Sequence, residues 1–132
     1  MSDEAHITVD RDSDIVAARK KGRDLAAAIG FAGSDLTLIA TAISEIARNI
    51  LVYAQRGEIS LSIVERGGKR GLLVIARDHG PGIADIEQAM RDGYSTGNSL
   101  GLGLPGAKRL MDDFEIVSTA EGTTVTMRKW KP

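Results

Sequence analysis

The sequence predicts an α/β protein, a two-layer sandwich in which helices cover one face of a mixed, mostly antiparallel sheet. The predicted elements follow the order β-α-α-β-β-α-loop-α-β-β, which lacks the regular strand–helix alternation of a doubly wound or barrel fold. Two pairs of β-branched or leucine-rich runs flank glycine-containing turns, as in β-hairpins. The chain has 132 residues, of which 42% are apolar, and this length is common for one domain. We therefore predict a single domain over residues 1–132.

The N-terminal half is predicted to contain one short strand followed by two helices. The strand spans residues 6–9, the first helix 13–29 and the second helix 34–53. Ser13 and Asp14 are expected to cap the first helix, and Gly30 to end it. Ser34 and Asp35 are expected to cap the second helix. Apolar residues recur at helical spacing in this second helix and predict one buried stripe, which consists of Leu36, Ile39, Ile43, Ile46, Ile50 and Tyr53.

The C-terminal half is predicted to contain two hairpins, with two helices and a flap between them. The first hairpin pairs residues 58–64 with 72–77 across a loop at 67–71, and the closing hairpin pairs 114–119 with 123–129. The intervening elements are a short helix near 85–91, a flexible flap over 93–104 and a helix that ends at Met111. All of these elements can pack as one helical layer on one sheet.

Composition excludes several classes of function. There are 17 Lys and Arg against 18 Asp and Glu, a net charge of -1, which removes the usual electrostatic argument for nucleic-acid binding. The absence of cysteine and the presence of two histidines disfavour disulfides, thiolate chemistry and a protein-only zinc site. No apolar run approaches the ~18 residues that span a membrane, and the acidic N-terminus is unlike a signal peptide. We therefore expect a soluble, cytoplasmic domain without a nucleic-acid or membrane partner.

Glu45 and Asn49 form the first candidate pair for chemistry. They lie four residues apart on the second predicted helix, so both are on one flank, about a quarter turn from the centre of the buried stripe. From that position they can line the edge of a cleft above the sheet. A carboxylate there can accept a proton, and an amide oxygen can bind a hard cation such as Mg²⁺. The same spacing is also typical of a solvated flank, and the pair alone leaves both interpretations open.

The segment Asp78-His79-Gly80-Pro81-Gly82 directly follows an apolar strand. A carboxylate at a strand end can accept a hydrogen bond from the exocyclic amine of a planar base. Gly80 and Gly82 have no Cβ to obstruct the ring. Aspartate, glycine and proline are equally ordinary in turns, so a base pocket and a plain turn both remain possible.

A second glycine-rich segment, residues 101–106, leads into the last predicted helix. It matches G-x-G-x-x-G, but no strand precedes it, so a dinucleotide fingerprint is not indicated. With Pro105 in the first turn, the free amides at the helix N-terminus can bind an anion. A flexible connection would have the same composition. In the closing hairpin, Gly122-Thr123-Thr124 can direct a threonine hydroxyl toward Asp78.

Taken together, these segments resemble a known superfamily. The motifs, in chain order, are Glu45-x-x-x-Asn49, Asp78-x-Gly80-x-Gly82, Gly101-x-Gly103 and Gly122-Thr123-Thr124. This is the order of the N, G1, G2 and G3 boxes of the GHKL superfamily of ATPases and kinases, whose ATP lies in a Bergerat fold. The resemblance covers nearly the whole chain. Residues 14–19, 42–49 and 92–106 are most similar to the small anti-sigma-type serine kinases, and among them to the switch kinases of the bacterial stressosome.

The resemblance implies a role for each matching residue. Glu45 would be the general base at the substrate hydroxyl, and Asn49 would be the Mg²⁺ ligand in the ATP site. Asp78 would accept the adenine amine, with Thr124 supporting it. The other ATP-binding positions that the resemblance implies are Gly80, Gly82, Gly101, Leu102, Gly103 and Leu104. The implied reaction transfers the γ-phosphoryl group of ATP to a protein serine or threonine.

The flap departs from the related kinases because residues 93–104 contain no lysine or arginine. The nearest cations are Arg91 before the flap and Lys108 and Arg109 after it. Either these residues, with Lys108 as the candidate ATP-binding position, reach the phosphates, or helix amides and Mg²⁺ do most of the neutralising; a solvated helix face suits Lys108 and Arg109 equally. Arg48 lies nearly opposite the buried stripe and is expected on a solvated face, where it can touch a partner.

The resemblance also implies partners. Its members are held by scaffold proteins with STAS domains, phosphorylate them, and after release activate a PP2C-type phosphatase or another output enzyme. Two alternatives remain open. One is an anti-sigma factor that binds a sigma factor directly and phosphorylates its antagonist, and the other is a non-catalytic module that binds ATP to set its conformation.

Overall fold

A computed structural model describes residues 4–83, Met90 and residues 103–132. The helices are α1 (Asp12–Ala28), α2 (Ser34–Tyr53) and α3 (Gly103–Leu110). The strands are β1 (Glu4–Val9), β2 (Gly57–Arg66), β3 (Lys69–Asp78), β4 (Asp113–Thr119) and β5 (Gly122–Trp130). The predicted helix at 85–91 and nearly all of the predicted flap at 93–104 lie outside the described residues.

The five strands form one sheet in the order β1-β2-β3-β5-β4. Each of its four neighbouring pairs is antiparallel. The predicted fold class, a two-layer α/β sandwich, is confirmed. Within the described ranges the sheet is antiparallel throughout, whereas the sequence predicted a mixed sheet. Two of the four strand pairs are joined by tight hairpins, and strands joined in this way must run antiparallel because the hairpin reverses the chain direction.

The turn between β2 and β3 is shorter than predicted. The ladder continues to the pair Arg66 and Lys69, so only Gly67 and Gly68 remain in the turn. Their φ angles are 58° and 81°, a conformation that glycine adopts without strain and that two-residue hairpins need at both positions. The prediction of a loop over residues 67–71 is therefore wrong for its last three residues, which belong to β3.

The helices cover one face of the sheet, and the core lies between the layers. Alternate strand residues face the helices and are buried; they include Val9, Ile59, Leu61, Leu72, Val74, Val125 and Met127. The α2 residues that meet them, Ile39, Ile43, Ile46 and Ile50, belong to the predicted stripe and are all buried. α1 packs closely on α2 because Gly22 leaves room for the Ile43 side chain.

α2 has the length and hydropathy of a membrane-spanning helix, but half of its residues are buried inside the fold. Core helices of globular proteins pass the same length and hydropathy criteria. Because α2 also carries Glu45 and Asn49 on buried positions, we interpret it as the central core helix of the domain.

The helix ends differ in detail from the prediction. Ser13 and Asp14 lie inside the first turn of α1, and the Asp14 carboxylate accepts the backbone N–H groups of Asp10 (3.0 Å) and Arg11 (3.2 Å). The hydrogen bond from Asp10 lowers the pKa of Asp14. α2 begins at Ser34 after Gly33, without a side-chain cap. Gly30, with φ 103°, follows the end of α1 as predicted.

Candidate functional site

Glu45 and Asn49 occupy the middle of α2, and each is only 3% exposed. Their four-residue spacing places them one helical turn apart, about 6 Å along the axis. The interpretation of this pair as a solvated flank is therefore wrong. A carboxylate and an amide are costly to bury, so their burial needs partners or a ligand.

The Glu45 carboxylate is held at both oxygens. Oε2 accepts the backbone N–H of Gly103 at 2.8 Å, which joins the first residue of α3 to the middle of α2. Oε1 accepts Nη1 of Arg48 at 2.8 Å. Arg48 was expected on a solvated face, but its guanidinium folds back along the helix to this carboxylate.

Asn49 carries an orphaned atom. Its side-chain oxygen Oδ1 is buried and accepts no hydrogen bond from any residue in the described part of the chain. Leaving such an acceptor unsatisfied costs about 1–3 kcal/mol. A hard cation would satisfy this oxygen, since amide and carboxylate oxygens are the ligands that Mg²⁺ prefers. The observation fits the metal role expected for Asn49.

Asp78 is the last residue of β3 and is 4% exposed. Its Oδ1 accepts two backbone N–H groups, from Gly80 at 3.0 Å and from Thr123 at 3.1 Å. No described residue donates a hydrogen bond to the other oxygen, Oδ2. The two backbone donors fix the carboxylate, and Oδ2 is left to accept an external donor such as a base amine.

The glycines around Asp78 allow close approach of the protein backbone. A Cβ on Gly80 would lie 2.6 Å from the Cβ of Ala54, at the end of α2. A Cβ on Gly82 would overlap the carbonyl of Thr119, and one on Gly122 would overlap the carbonyl of Asp78. These glycines were expected to leave space for a base. The structure gives them an additional role, because they let the loop after β3 dock on its neighbours.

Asp78 lies close to the stretch of α2 that carries Glu45 and Asn49. A Cβ on Gly57 would lie 2.8 Å from Cγ2 of Ile50 and 3.1 Å from Cβ of Asp78. Asp78 is therefore beside the residue that directly follows Asn49. At the other end of the same stretch, Glu45 contacts Gly103. The turn of α2 over residues 45–50 thus joins the end of β3 to the start of α3.

Thr123, and not Thr124, is the threonine beside Asp78. In the ladder Thr124 pairs with Arg77, and alternation places both side chains on the sheet face away from the helices. Thr124 borders a depression of about 190 Å³ on that face. Thr123 is 3% exposed, and its hydroxyl lies 2.7 Å from Oγ of Ser118. Thr123 therefore supplies the backbone contact to Asp78, whereas Thr124 and Asp78 both line the depression of about 190 Å³.

Replacing Thr123 by valine is expected to lower the free energy of unfolding by about 1 kcal/mol, the net contribution of one hydrogen bond. The change removes the Thr123 hydroxyl from the half-buried Ser118 hydroxyl, which still accepts the N–H of Ile83 at 2.7 Å. Thr124→Val is the matched control and is expected to change stability by less than about 0.5 kcal/mol. Urea denaturation of both variants measures the difference, and equal effects would contradict this assignment.

The remaining predicted positions fall into two groups. Gly101 and Leu102 lie outside the described residues. Gly103, with φ 70°, donates its N–H to Glu45, and Leu104 is 2% exposed and packs in the core. Lys108 is exposed near the far end of α3 and borders a groove with Asp112 and Phe114. The structure does not bring Lys108 to the other site residues.

Two contacts were missed from the sequence. Thr123 alternates with the buried Val125 and Met127, and this period of two would have placed it on the helix-covered face with Asp78. Glu45 and Arg48 have the i, i+3 spacing that is typical of helical ion pairs. This spacing was the signal in the sequence from which the contact could have been predicted. The contact was missed because the expectation for Arg48 considered only its position around the helix and not the direction of its side chain.

Comparisons with known proteins agree with this geometry. Residues 8–129 match the family described as the histidine kinase-like ATPase domain. The chain is 50% identical over 131 residues to the serine/threonine-protein kinase RsbT of Bacillus subtilis (strain 168), with 98% of both chains covered. It is 33% identical over 99 residues to the anti-sigma F factor of Thermoanaerobacter sp. (strain X514), covering 70% of this chain and 68% of that protein.

Two solved structures share the fold. The RsbU and RsbW domains of Rv1364c from Mycobacterium tuberculosis match with a TM-score of 0.67 and 22% identity, over 98% of this chain and 33% of that one. The SiaB–SiaC complex from Pseudomonas aeruginosa matches with a TM-score of 0.59 and 11% identity, over 97% of this chain and 89% of that one. At these identities the two structures support the fold alone.

Proposed function

The chain belongs to the histidine kinase-like ATPase domain family, and from that premise we propose that it phosphorylates STAS-domain proteins with Mg²⁺-ATP. The chain is 50% identical to a serine/threonine-protein kinase over 98% of both chains. It is therefore an ATP-using serine/threonine-protein kinase of a partner-switching system. The magnesium ion, the STAS substrates, a PP2C-type phosphatase as output enzyme, and a cytoplasmic stressosome setting are the proposal. The observation that carries it is that Glu45, Asn49 and Asp78 are all buried and that Asp78 lies near Ile50, at the end of the α2 stretch that carries the other two.

Asp78 is assigned to the adenine. Its Oδ1 is occupied by two backbone donors, and its Oδ2 can accept the exocyclic amine. The glycine-rich segment 101–106 is assigned to the phosphates, because it contains the first turn of α3 and the positive end of a helix favours anions. This arrangement orients ATP with its base at the end of β3 and its phosphates toward α2 and α3.

Asn49 is assigned to the magnesium ion because its buried Oδ1 lacks a partner among the described residues. When bound, Mg²⁺ supplies neutralisation of the phosphate charge. The contribution of the chain itself is to hold an amide oxygen ready on a rigid, buried helix, which reduces the reorganisation needed at binding.

Glu45 is assigned as general base. As the acceptor hydroxyl oxygen bonds to the γ-phosphorus and the bond from that phosphorus to the ADP oxygen breaks, the carboxylate takes up the hydroxyl proton. Its contacts with Gly103 and Arg48 orient the carboxylate. Positioning of this kind accounts for much of the acceleration in phosphoryl transfer.

Incubation with γ-labelled ATP, Mg²⁺ and purified STAS-domain proteins tests the proposal. The expected result is label on one serine or threonine of a STAS protein, mapped by mass spectrometry. Failure to label any STAS protein would overturn it. An alternative function, direct binding of a sigma factor, is favoured by the 33% identity to an anti-sigma F factor; capture of a sigma factor without a STAS protein would support that alternative.

Replacing Asn49 by alanine is expected to weaken ATP binding about tenfold in the presence of Mg²⁺, the loss of about 1.4 kcal/mol of binding free energy. Because Asn49 Oδ1 has no described partner, its removal breaks no hydrogen bond of the fold. Calorimetric titration of ATP with Mg²⁺ and with EDTA measures the effect, and Thr37→Ala, on the exposed side of α2, is the control. Equal magnesium dependence in Asn49→Ala and wild type would contradict the assignment.

A further inference from the structure

Arg48 and Glu45 form an ion pair that crosses from the interior to the surface. Nη1 of Arg48 lies 2.8 Å from Oε1 of Glu45, and the two side chains are 24% and 1% exposed. The carboxylate is therefore inside the protein, and the guanidinium reaches it from the solvent side. Since the two residues are three apart on the same helix, the rigid backbone of α2 fixes their relative position.

An ion pair of this kind has two effects on the carboxylate. An ionised carboxylate is costly to bury unless a positive charge compensates it, and the guanidinium supplies that charge. The carboxylate is also gripped from two directions, by Arg48 at Oε1 and by the Gly103 amide at Oε2. Two donors on different oxygens hold the plane of the carboxylate and therefore its orientation.

We infer that Arg48 is a positioning residue for phosphoryl transfer: it keeps the Glu45 carboxylate turned toward the acceptor hydroxyl. The inference rests on the proposed function of Glu45 as the base. It goes beyond that proposal by giving a role to Arg48, which the proposed function leaves without one. Arg48 acts through Glu45 and does not touch ATP. Its loss therefore lowers the rate of the chemical step and leaves ATP binding intact.

Steady-state kinetics of three variants, with Mg²⁺-ATP and a STAS-domain substrate, test this inference. Arg48→Gln is expected to lower kcat about ten- to a hundredfold, the scale of a misplaced catalytic group, with KM for ATP unchanged within about twofold. Arg48→Lys restores the charge but not the planar fork and is expected to recover part of the lost kcat. Arg19→Gln, an exposed arginine of α1, is the control and retains wild-type kinetics.

Two results would overturn the inference. One is wild-type kcat in Arg48→Gln, and the other is a parallel loss of kcat, ATP affinity and thermal stability without recovery in Arg48→Lys, which indicates a purely structural role. Glu45→Gln separates this inference from the proposed function. If Glu45→Gln is inactive while Arg48→Gln is fully active, only the role of Arg48 is wrong; if Glu45→Gln is fully active, the assignment of the base is wrong.

Discussion

Replacing Glu45 by glutamine is expected to reduce kcat for phosphoryl transfer by about 10²- to 10⁴-fold, the usual contribution of a general base. Glutamine has the same shape, and its amide oxygen can still accept the Gly103 N–H that now reaches Oε2 at 2.8 Å. What it lacks is the basic lone pair that receives the hydroxyl proton. ATP affinity is expected to stay within about twofold, because binding and chemistry use different groups.

Single-turnover phosphorylation of a STAS domain, with ATP affinity measured in parallel, checks the effect of Glu45→Gln. Glu115→Gln is a suitable control because Glu115 is exposed on β4, away from the helix-covered face. A full rate in Glu45→Gln would remove Glu45 from the chemistry. Retention of ATP binding with loss of transfer would also separate a kinase from a non-catalytic ATP-dependent module, which needs no base.

Replacing Asp78 by asparagine is expected to weaken ATP binding by about 10²-fold or more while the protein stays folded. Asparagine can keep one oxygen toward the N–H groups of Gly80 and Thr123, which Asp78 Oδ1 accepts at 3.0 and 3.1 Å. The second atom then becomes an NH₂ group that opposes the amine of adenine. Two donors facing each other in a buried site leave both unpaired, and sites built around such a hydrogen bond discriminate strongly.

Calorimetric titration with ATP and thermal unfolding of the same Asp78→Asn sample check both parts of this expectation. Asp24→Asn, on the exposed surface of α1, provides the control. Undiminished ATP affinity would show that Asp78 does not hold the base. Asp78→Ala is less informative, because it leaves two backbone donors without an acceptor and is expected to destabilise the fold.

Much of the fold could be predicted from the periodic spacing of apolar residues and from the glycines that end helices. The isoleucine stripe of α2 identified the buried face, and Gly30 marked the end of α1, because both signals are local in the sequence. The length of the β2–β3 turn was harder to predict. Its two glycines allow the ladder to reach Arg66 and Lys69, and this depends on the exact pairing of two strands.

The residue types of the candidate site could be predicted from the sequence more readily than the contacts between its residues. Glu45, Asn49 and Asp78 were identified because their motifs occur in a recognisable order. The choice between Thr123 and Thr124 follows from the alternation of Thr123 with the buried Val125 and Met127 along β5, a signal that the sequence holds but that was not used. The contact of Arg48 with Glu45 depends on a side-chain rotamer, which helical position alone does not determine.

A structure of the protein with Mg²⁺ and a non-hydrolysable ATP analogue tests the central claim most directly. The account predicts one nucleotide, with its exocyclic amine within hydrogen-bonding distance of Asp78 Oδ2 and the cation on Oδ1 of Asn49. The γ-phosphate is then next to the Glu45 carboxylate. A nucleotide bound elsewhere, or bound with Asp78 and Asn49 contacting neither base nor cation, would contradict the account.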